Sequence, residues 1–246
     1  LIFEAMLDAM RSVVPERCVA PSASTVCLVT GAAKNPRTRE VYSFITWDNA
    51  GMGAYPDRDG NSAMSRSGGT TARNYPTEVL ETHFPWLTEK FGFRQDSAGP
   101  GRYRGGLGLV RDALLQAPEL EFGVNANRGR FPPHGVDGGG SAKPTRIWVK
   151  RAHDGPEANY LDPLQLGGGI ISPDKFSGAR LIEGDRLRTE TPGGGGWGDP
   201  RERDPAAVEE DLKQGYISKE TAVKVYGMDP ERASEIIARF HWKADA

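Results

Sequence analysis

The chain has 246 residues and a formal net charge of −2, and its 31 lysine and arginine residues are spread along the sequence without a basic run. This pattern excludes the usual footprint of a nucleic-acid-binding protein. No apolar stretch reaches the roughly 18 residues that a membrane-spanning helix needs, so we expect a cytoplasmic protein that binds neither nucleic acid nor membrane.

Glycine and proline are over-represented, with 31 and 18 residues, against a usual combined share of about 12%. This excess favours a compact, loop-rich domain with many short strands. The two cysteines, Cys18 and Cys27, belong to no disulfide or nucleophile motif, so we interpret them as buried structural residues.

The first segment predicts an amphipathic helix, because its apolar residues follow 3–4 spacing up to Pro15. These residues are Ile2, Met6, Leu7, Met10, Val13 and Val14. A chain that starts inside a helix is expected to be a fragment or a processed chain. β-Branched and apolar residues then predict strands over 26–30 and 41–47.

The middle of the chain alternates loops and short strands. A glycine- and serine-rich loop over 49–76 has little periodicity, and loops of such length are usually functional or cover another subunit. A short helix is predicted after Pro76. Turn signals between residues 107 and 191 separate further strands, which are predicted in the segments ELEFGVNANRG, TRIWVKR, NYLDPLQLGGGII and DRLRTETP.

The tail predicts three capped helices. Asp204, Ser218 and Asp229 stand where helix N-caps are expected, and proline follows the first and the last of them. The sequence therefore predicts an α+β fold, with a mainly β-sheet domain over residues 1–203 that carries the N-terminal helix. A small helical subdomain over 204–246 completes the prediction.

A run of four glycines over 193–196 stands in the segment TPGGGGWGDP. Backbone N–H groups of such runs can cradle a phosphate, but nucleotide-binding loops need a different order of residues. We favour backbone geometry as the explanation, because glycine tolerates both positive φ and the close approach of another segment. Trp197 would anchor the loop by burial, and Asp199 would accept backbone N–H groups in an Asx turn before Pro200.

The segment RQDSAGPGRYRGG (94–106) gathers the charged residues Arg94, Asp96, Arg102 and Arg104. Arginine forks bind carboxylate or phosphate through paired hydrogen bonds. The alternative, given equal weight, is that Asp96 pairs with one of these arginines and fixes the loop.

Other titratable residues give weaker signals. Glu78, Glu81 and His83 could bind a metal, but no second metal motif accompanies them, so a solvated face or an ion pair is favoured. His134, in a proline–glycine loop, could act as a general base, whereas His241 is expected on the surface. The residues alone offer no complete catalytic set, which disfavours a stand-alone amidohydrolase.

Four segments together resemble the hydantoinase B family. They are NYPTEVLETHFPW, FRQDSAGPGRYRGGLGLVR, TPGGGGWGDP and DPAAVEEDLKQGYISKETAVKVYG, in this order from about residue 70 to the end. The family includes N-methylhydantoinase B subunits, acetone and acetophenone carboxylase subunits of the same type, and the C-terminal half of 5-oxoprolinases.

The resemblance implies an ATP-dependent enzyme in which a hydantoinase A-type partner binds ATP and phosphorylates a carbonyl or enolate. The B-type subunit then helps to hydrolyse a cyclic amide (hydantoin, oxoproline or lactam) or to carboxylate a ketone. The family's N-terminal half carries a metal motif of the form Asn-Asp-Pro then Gly-x-His, which the segment WDNAGMGAYPDRDG (47–60) does not match. ATP and a divalent metal are therefore expected to bind outside this chain.

The resemblance thus predicts a C-terminal half or split subunit, with the A-type subunit and the N-terminal half of the B-type subunit as partners. It also places the loop over 49–76 towards a small-molecule substrate. The candidate substrate-side residues are Asp48, Asn49, Arg94, Asp96, Arg102 and Arg104. The alternative is a structural assembly module without a catalytic residue.

The two hypotheses make different structural predictions. If the chain helps catalysis, polar residues of 94–106 should converge with those of 47–69 on an open cleft. If it serves assembly alone, the polar residues of 94–106 should pair among themselves.

Overall fold

The computed structural model describes residues 2–36, 38–64, 73–155 and 157–240. His241 and part of the long loop lie outside the described residues. The helices and strands, in chain order, are α1 (Ile2–Met10), β1 (Cys27–Lys34), β2 (Val41–Asp48), α2 (Thr77–His83), β3 (Trp86–Phe93), β4 (Leu109–Leu115), β5 (Glu119–Asn125), β6 (Arg146–Lys150), β7 (Lys175–Ile182), β8 (Arg186–Glu190), α3 (Pro205–Lys213), α4 (Lys219–Lys224) and α5 (Pro230–Phe240).

Two four-stranded antiparallel sheets form the β layer, with strand orders β2-β1-β5-β7 and β3-β4-β8-β6. One buried apolar cluster draws on both sheets, with Val29 and Phe122 from the first and Leu115 and Val149 from the second. Because inward-facing residues of both sheets share one core, the sheets pack face to face. The predicted α+β fold, dominated by β-sheet, is confirmed.

One predicted strand is wrong and one strand was missed. The segment 159–171 contributes a single bridge, from Leu161 to Val149, and then a 3₁₀ turn. Asp162 accepts a hydrogen bond from the Leu164 N–H at 2.9 Å, so an N-cap followed by proline overrides the apolar pattern. The missed strand is β7, whose alternation is interrupted by a bulge at its pairing with β5.

The predicted N-terminal helix is present but shorter, and its apolar side chains face solvent. It ends at Met10 rather than near Val14, because Pro15 starts a separate 3₁₀ turn. Its one buried residue is Glu4, whereas Ile2 is 80% and Met6 58% exposed. The helix therefore attaches to the domain through a carboxylate and presents apolar side chains to solvent.

The three tail helices are confirmed, and their caps are those predicted from the sequence. The Asp204 carboxylate accepts from the Ala206 N–H at 2.9 Å, and the Ser218 hydroxyl accepts from the Thr221 N–H at 3.1 Å. The tail has an apolar cluster of its own, made of Val208, Leu212, Ile217, Ala222, Ala233 and Ile236. The domain boundary at residue 204 stays a prediction. None of the helices in the described part of the chain has the length and apolar character needed to cross a bilayer.

Candidate functional site

Four loop segments meet beside the sheets and bond to one another through their backbones. We call this region the glycine junction; it comprises residues 49–64, 97–108, 133–142 and 191–199. The Gly194 N–H donates to the Gly106 carbonyl at 2.9 Å, and the Gly99 N–H donates to the Gly194 carbonyl at 2.8 Å. The Gly106 N–H in turn donates to the Met52 carbonyl at 2.7 Å. In the junction, backbone segments therefore cross in direct contact, and side chains at the crossing points would push the segments apart.

Close approach, rather than positive φ, is what requires glycine in the run 193–196. None of these four glycines has a positive φ. A Cβ on Gly194 would lie 1.8 Å from the Met52 carbonyl oxygen, and one on Gly195 would lie 1.9 Å from the His134 carbonyl oxygen. Since the neighbouring atoms are backbone and cannot rotate away, any side chain there would push two segments apart.

The glycine run does not fit a phosphate. The Gly195 N–H donates to the Pro21 carbonyl at 2.9 Å, and the Gly196 N–H donates to the Gly140 carbonyl at 3.1 Å. An anion nest needs backbone N–H groups that point at the ligand, whereas these N–H groups donate to backbone carbonyls of the chain itself. The Asp199 carboxylate accepts from the Arg201 N–H at 2.8 Å, which confirms the predicted Asx turn.

Arg94 and Asp96 hold the loop 94–106 in place. Arg94 forms an ion pair with Glu190 at 2.8 Å and donates to the Pro144 carbonyl at 2.6 Å. Burial lowers the pKa of this guanidinium from its usual value, although the Glu190 charge opposes the shift. Asp96 has a φ of +56°, and its carboxylate accepts from the Ser218 N–H at 2.8 Å. Asp96 therefore ties the loop to the start of α4.

Arg104 belongs to a four-residue group, which we call the tail network: Asp59, Arg104, Arg203 and Asp211. Three of its members are buried, and Asp59 is partly exposed. The Arg104 Nε donates to Asp211 at 2.9 Å, and the Arg203 Nη2 donates to the same carboxylate at 2.8 Å. Arg203 also forms an ion pair with Asp59 at 2.7 Å. Burial raises the pKa of Asp59, but hydrogen bonding to Arg203 and the charges of both arginines outweigh it and hold the pKa below its usual value. The network clamps α3 onto the glycine junction.

Arg102 differs from the other three charged residues of this loop. Its side chain is 52% exposed, and its ion-pair distance to Glu202 is 3.9 Å. Its guanidinium also lies 5.6 Å from the centre of the neighbouring Tyr103 ring. Arg102 is therefore the one of these four residues whose guanidinium is largely exposed to solvent.

Within the described residues, the charged side chains of 94–106 do not pair with one another, and the cleft that Asp96 and Arg104 line contains no residue of 47–64. Arg94, Asp96 and Arg104 bond to β8, α4 and α3. Arg104 also contacts the long loop, since its backbone N–H donates to the Asp59 carboxylate at 2.9 Å. Asp96 and Arg104 line one side of a cleft of about 370 Å³ whose other walls include Lys143 and Tyr226. We call it the tail cleft. Burial raises the pKa of Tyr226 to about 12.

Asp48 lies between the two sheets, in an ion pair with Arg111 at 2.8 Å. Asp48 also accepts from the Thr189 hydroxyl at 3.0 Å, and the Phe91 ring centre lies 3.9 Å from the Arg111 guanidinium. Both charged side chains are more than nine-tenths buried. A buried pair of this kind is costly to break, because the remaining partner would be an uncompensated charge.

The pair lies at the wall of an apolar cavity of about 40 Å³ between the sheets. Within the described residues, the Arg111 Nη1 and the Thr46 hydroxyl have no hydrogen-bond partner. A cavity of this size with polar groups in its wall holds about one water molecule, which is far below the volume of a substrate pocket.

Asn49 fixes the start of the long loop through its backbone. Its N–H donates to the Asn74 side-chain oxygen at 2.8 Å, and its carbonyl accepts from the Thr191 hydroxyl at 2.9 Å. The two ends of the loop are thereby held together, next to the glycine run.

Sequence reasoning missed Arg111 and Arg203, which complete the two buried charge groups. The segment GLGLVRDALL contains a signal for Arg111, because Arg111 and Asp112 interrupt an otherwise apolar strand. A charge at an inward position of a strand needs a buried partner. Arg203 follows a 3₁₀ turn, and no sequence pattern around it predicts a buried charge.

Metal-ligating side chains do not gather in the parts of the chain that the structure describes: no three His, Cys, Asp or Glu residues share a possible site. Glu81, a predicted candidate, accepts instead from the Thr88 N–H at 2.7 Å and joins α2 to β3. Cys18 and Cys27 are unbridged and buried, as predicted. The described residues therefore fit neither a phosphate at the glycine run nor a metal ion.

The fold is shared with an ATP-dependent enzyme. It is similar to the ATP-dependent caprolactamase from Pseudomonas jessenii, with a TM-score of 0.73 and 25% identity over 92% of this chain and 39% of that chain. The family model described as hydantoinase B/oxoprolinase matches residues 1–200. The chain therefore belongs to the hydantoinase B/oxoprolinase family, as the sequence motifs predicted.

Two relatives are similar in sequence. A Pseudomonas sp. (strain NS671) protein, named as the B-type subunit of a D-/L-hydantoinase, is 28% identical over 96% of this chain and 37% of its own length. The acetophenone carboxylase delta subunit of Aromatoleum aromaticum is 30% identical over 72% of this chain and 28% of its own length. The chain thus spans less than two fifths of the relatives it matches.

Proposed function

We propose that this chain is the C-terminal part of a B-type subunit in an ATP-dependent enzyme that hydrolyses a cyclic amide. The observation that carries the proposal is the similarity of nearly the whole fold to a caprolactamase that depends on ATP. A relative named as a hydantoinase subunit supports the same class of substrate. A hydantoinase A-type partner would bind ATP and phosphorylate the amide carbonyl.

ATP and a divalent metal are assigned to polypeptide outside this chain. The N–H groups of Gly195 and Gly196 donate to the carbonyls of Pro21 and Gly140, and the described residues do not form a metal-ligand group. The metal and nucleotide would supply electrophilic activation of the amide. This chain's own part would be to shape the pocket and hold the charged group that forms.

Within this function, we assign the substrate contact to Arg102. Its exposed guanidinium in the glycine junction can donate two parallel hydrogen bonds to a phosphorylated or carboxylate group. Charge-assisted bonds of this kind favour the negative charge that develops in the transition state. The other five candidates act as positioning residues through their internal bonds: Asp48, Asn49, Arg94, Asp96 and Arg104.

Two alternatives have support of their own. Ketone carboxylation is favoured by the relative named as an acetophenone carboxylase delta subunit. A structural assembly role without catalytic residues is supported by the internal partners of Arg94, Asp96 and Arg104, although these partners lie on β8, α4 and α3 rather than within 94–106 as that role predicted.

The decisive experiment is Arg102→Ala in the assembled complex with its A-type partner, assayed for ATP-dependent hydrolysis of hydantoin, 5-oxoproline and a lactam. A lost charge-assisted hydrogen bond is worth about 1.5–3 kcal/mol, so we expect a decrease of roughly 10- to 100-fold in kcat/KM. Arg180→Ala is the matched control, because Arg180 is also exposed and pairs with Glu119 on β5. Unchanged turnover with normal assembly would favour the structural alternative. Bicarbonate-dependent turnover of a ketone in the same assay would favour carboxylation.

A further inference from the structure

The helix α1 has the reverse of the usual surface arrangement. Surface helices place an apolar stripe on the core and polar residues in water. Here the apolar side chains form the exposed stripe, which we call the α1 stripe: Ile2, Phe3, Met6, Met10 and Val13, each between 45% and 80% exposed. Single exposed apolar residues are ordinary, but an aligned row of five on one helix and its following turn marks an interaction surface.

Polar bonds hold the helix in this orientation. The Glu4 carboxylate accepts from the Ser22 N–H at 2.8 Å, from the Ser24 hydroxyl and from the Arg128 Nη2 at 2.7 Å. Near the other end, Arg11 donates to the Val19 carbonyl at 3.2 Å. Since several bonds fix the opposite side of the helix, the stripe cannot turn inward without leaving the Glu4 charge unpaired.

Two charged residues of the helix, Asp8 and Arg11, lie on the face opposite the stripe and are partnered within the chain. Asp8 forms an ion pair with Arg11 at 2.8 Å and lies 3.6 Å from the His134 Nε2. A partner at the stripe therefore meets mainly apolar side chains. The surface suits an apolar helix or sheet face rather than a charged ligand.

We infer that the α1 stripe is the docking surface for the remaining polypeptide of the B-type subunit, which covers it with an apolar face. This inference rests on the proposed function. Its support is the length of chain outside the matched region: this chain corresponds to 37% of the hydantoinase relative and 39% of the caprolactamase chain. The rest of those subunits supplies ample polypeptide to bury the stripe. A second copy of this chain is the competing occupant.

The test co-expresses this chain with the remaining part of its B-type subunit and the A-type partner, with an affinity tag on this chain. The variant Met6→Asp/Met10→Asp places two charges in the stripe, and Val41→Asp is the control, because Val41 is 78% exposed on β2, outside α1. We expect the stripe variant to retain at least tenfold less of the companion polypeptide, while the control retains the wild-type amount. Circular dichroism and thermal unfolding of each chain alone should match the wild type.

Two results would overturn the inference. One is retention of the companion at the wild-type level by the stripe variant. The other is concentration-dependent dimerisation of the wild-type chain alone, abolished by the stripe variant, which would make a second copy the occupant. If the stripe variant unfolds, a photo-crosslinking residue at Met6 decides: crosslinks to the companion support the inference, and crosslinks to a second copy or to nothing contradict it. Retention measured this way is independent of turnover, so loss of the proposed activity alone leaves the inference standing.

Discussion

Substitution of Gly194 by alanine tests whether close backbone approach is what the glycine run provides. The added Cβ would lie 1.8 Å from the Met52 carbonyl oxygen, 2.1 Å from its carbonyl carbon and 2.5 Å from the Gly53 nitrogen. Cβ atoms do not come closer than about 3.0 Å to such neighbours, so the segments 49–64 and 191–199 must separate by about 1.2 Å.

The expected loss of stability follows from this separation. Overpacking a dense interior costs about 1–3 kcal/mol. The displacement also stretches the Gly194 N–H to Gly106 bond of 2.9 Å and the Gly99 N–H to Gly194 bond of 2.8 Å, each worth about 0.5–1.5 kcal/mol. We therefore expect a decrease of about 3 kcal/mol or more in the free energy of unfolding, which corresponds to roughly 6–12 °C in Tm for a chain of this size.

Urea denaturation monitored by circular dichroism measures this difference, with the midpoint compared at an unchanged m-value. The matched control is Gly92→Ala in β3, where an added Cβ meets nothing within 4 Å and φ is not positive. We expect the control to lie within about 0.5–1 kcal/mol of the wild type. A Gly194→Ala protein as stable as the control would refute the conclusion that crossing backbones require glycine here.

Three further predictions concern the buried charges. Arg111→Met should destabilise the protein by about 3–5 kcal/mol, because Asp48 stays buried without its 2.8 Å partner. The double variant Arg111→Met/Asp48→Leu should recover part of this loss in a double-mutant cycle. If the losses of the two single variants simply add in the double variant, the coupling between the two residues is contradicted. Arg104→Ala should expose the amides of α3 to hydrogen exchange before those of the sheets, because its 2.9 Å bond to Asp211 is lost. Lys224→Ala is the control and should leave the exchange pattern unchanged, because Lys224 is an exposed residue of α4 that pairs with Glu220 of the same helix. Burial raises the pKa of Glu4, but hydrogen bonds from Ser22 and Ser24 and the Arg128 charge outweigh this and hold the pKa below its usual value of 4.5. The stabilisation that Glu4 contributes is therefore complete above pH 4.5 and is lost as the pH falls further. Glu4→Gln should weaken the decline in the free energy of unfolding between pH 6 and pH 3.5. An equal decline in the variant and the wild type would contradict this role of Glu4.

The sequence by itself determined most of the local structure and the family. Helix caps and strand signals reside in a few adjacent residues, so Asp204, Ser218 and the β-branched runs could be read without knowing the fold. The failure over 159–171 has the same origin, since the cap formed by Asp162 outweighed an apolar pattern. Four motifs in order were enough to predict the hydantoinase B family, which the match over residues 1–200 confirms.

Only the tertiary structure decided what the charged residues do. Asp48 and Arg111 are 63 positions apart, and Arg104 and Asp211 are 107 positions apart, so no local pattern could reveal these pairs. The same holds for the glycine run, whose hydrogen-bond partners come from four other segments, near residues 21, 54, 99–106 and 136–140. It holds for α1 as well, where periodicity gave the apolar stripe but long-range bonds to Glu4 turned it towards solvent. Pairing and orientation depend on distant segments meeting in space, whereas caps and periodicity depend on neighbours along the chain.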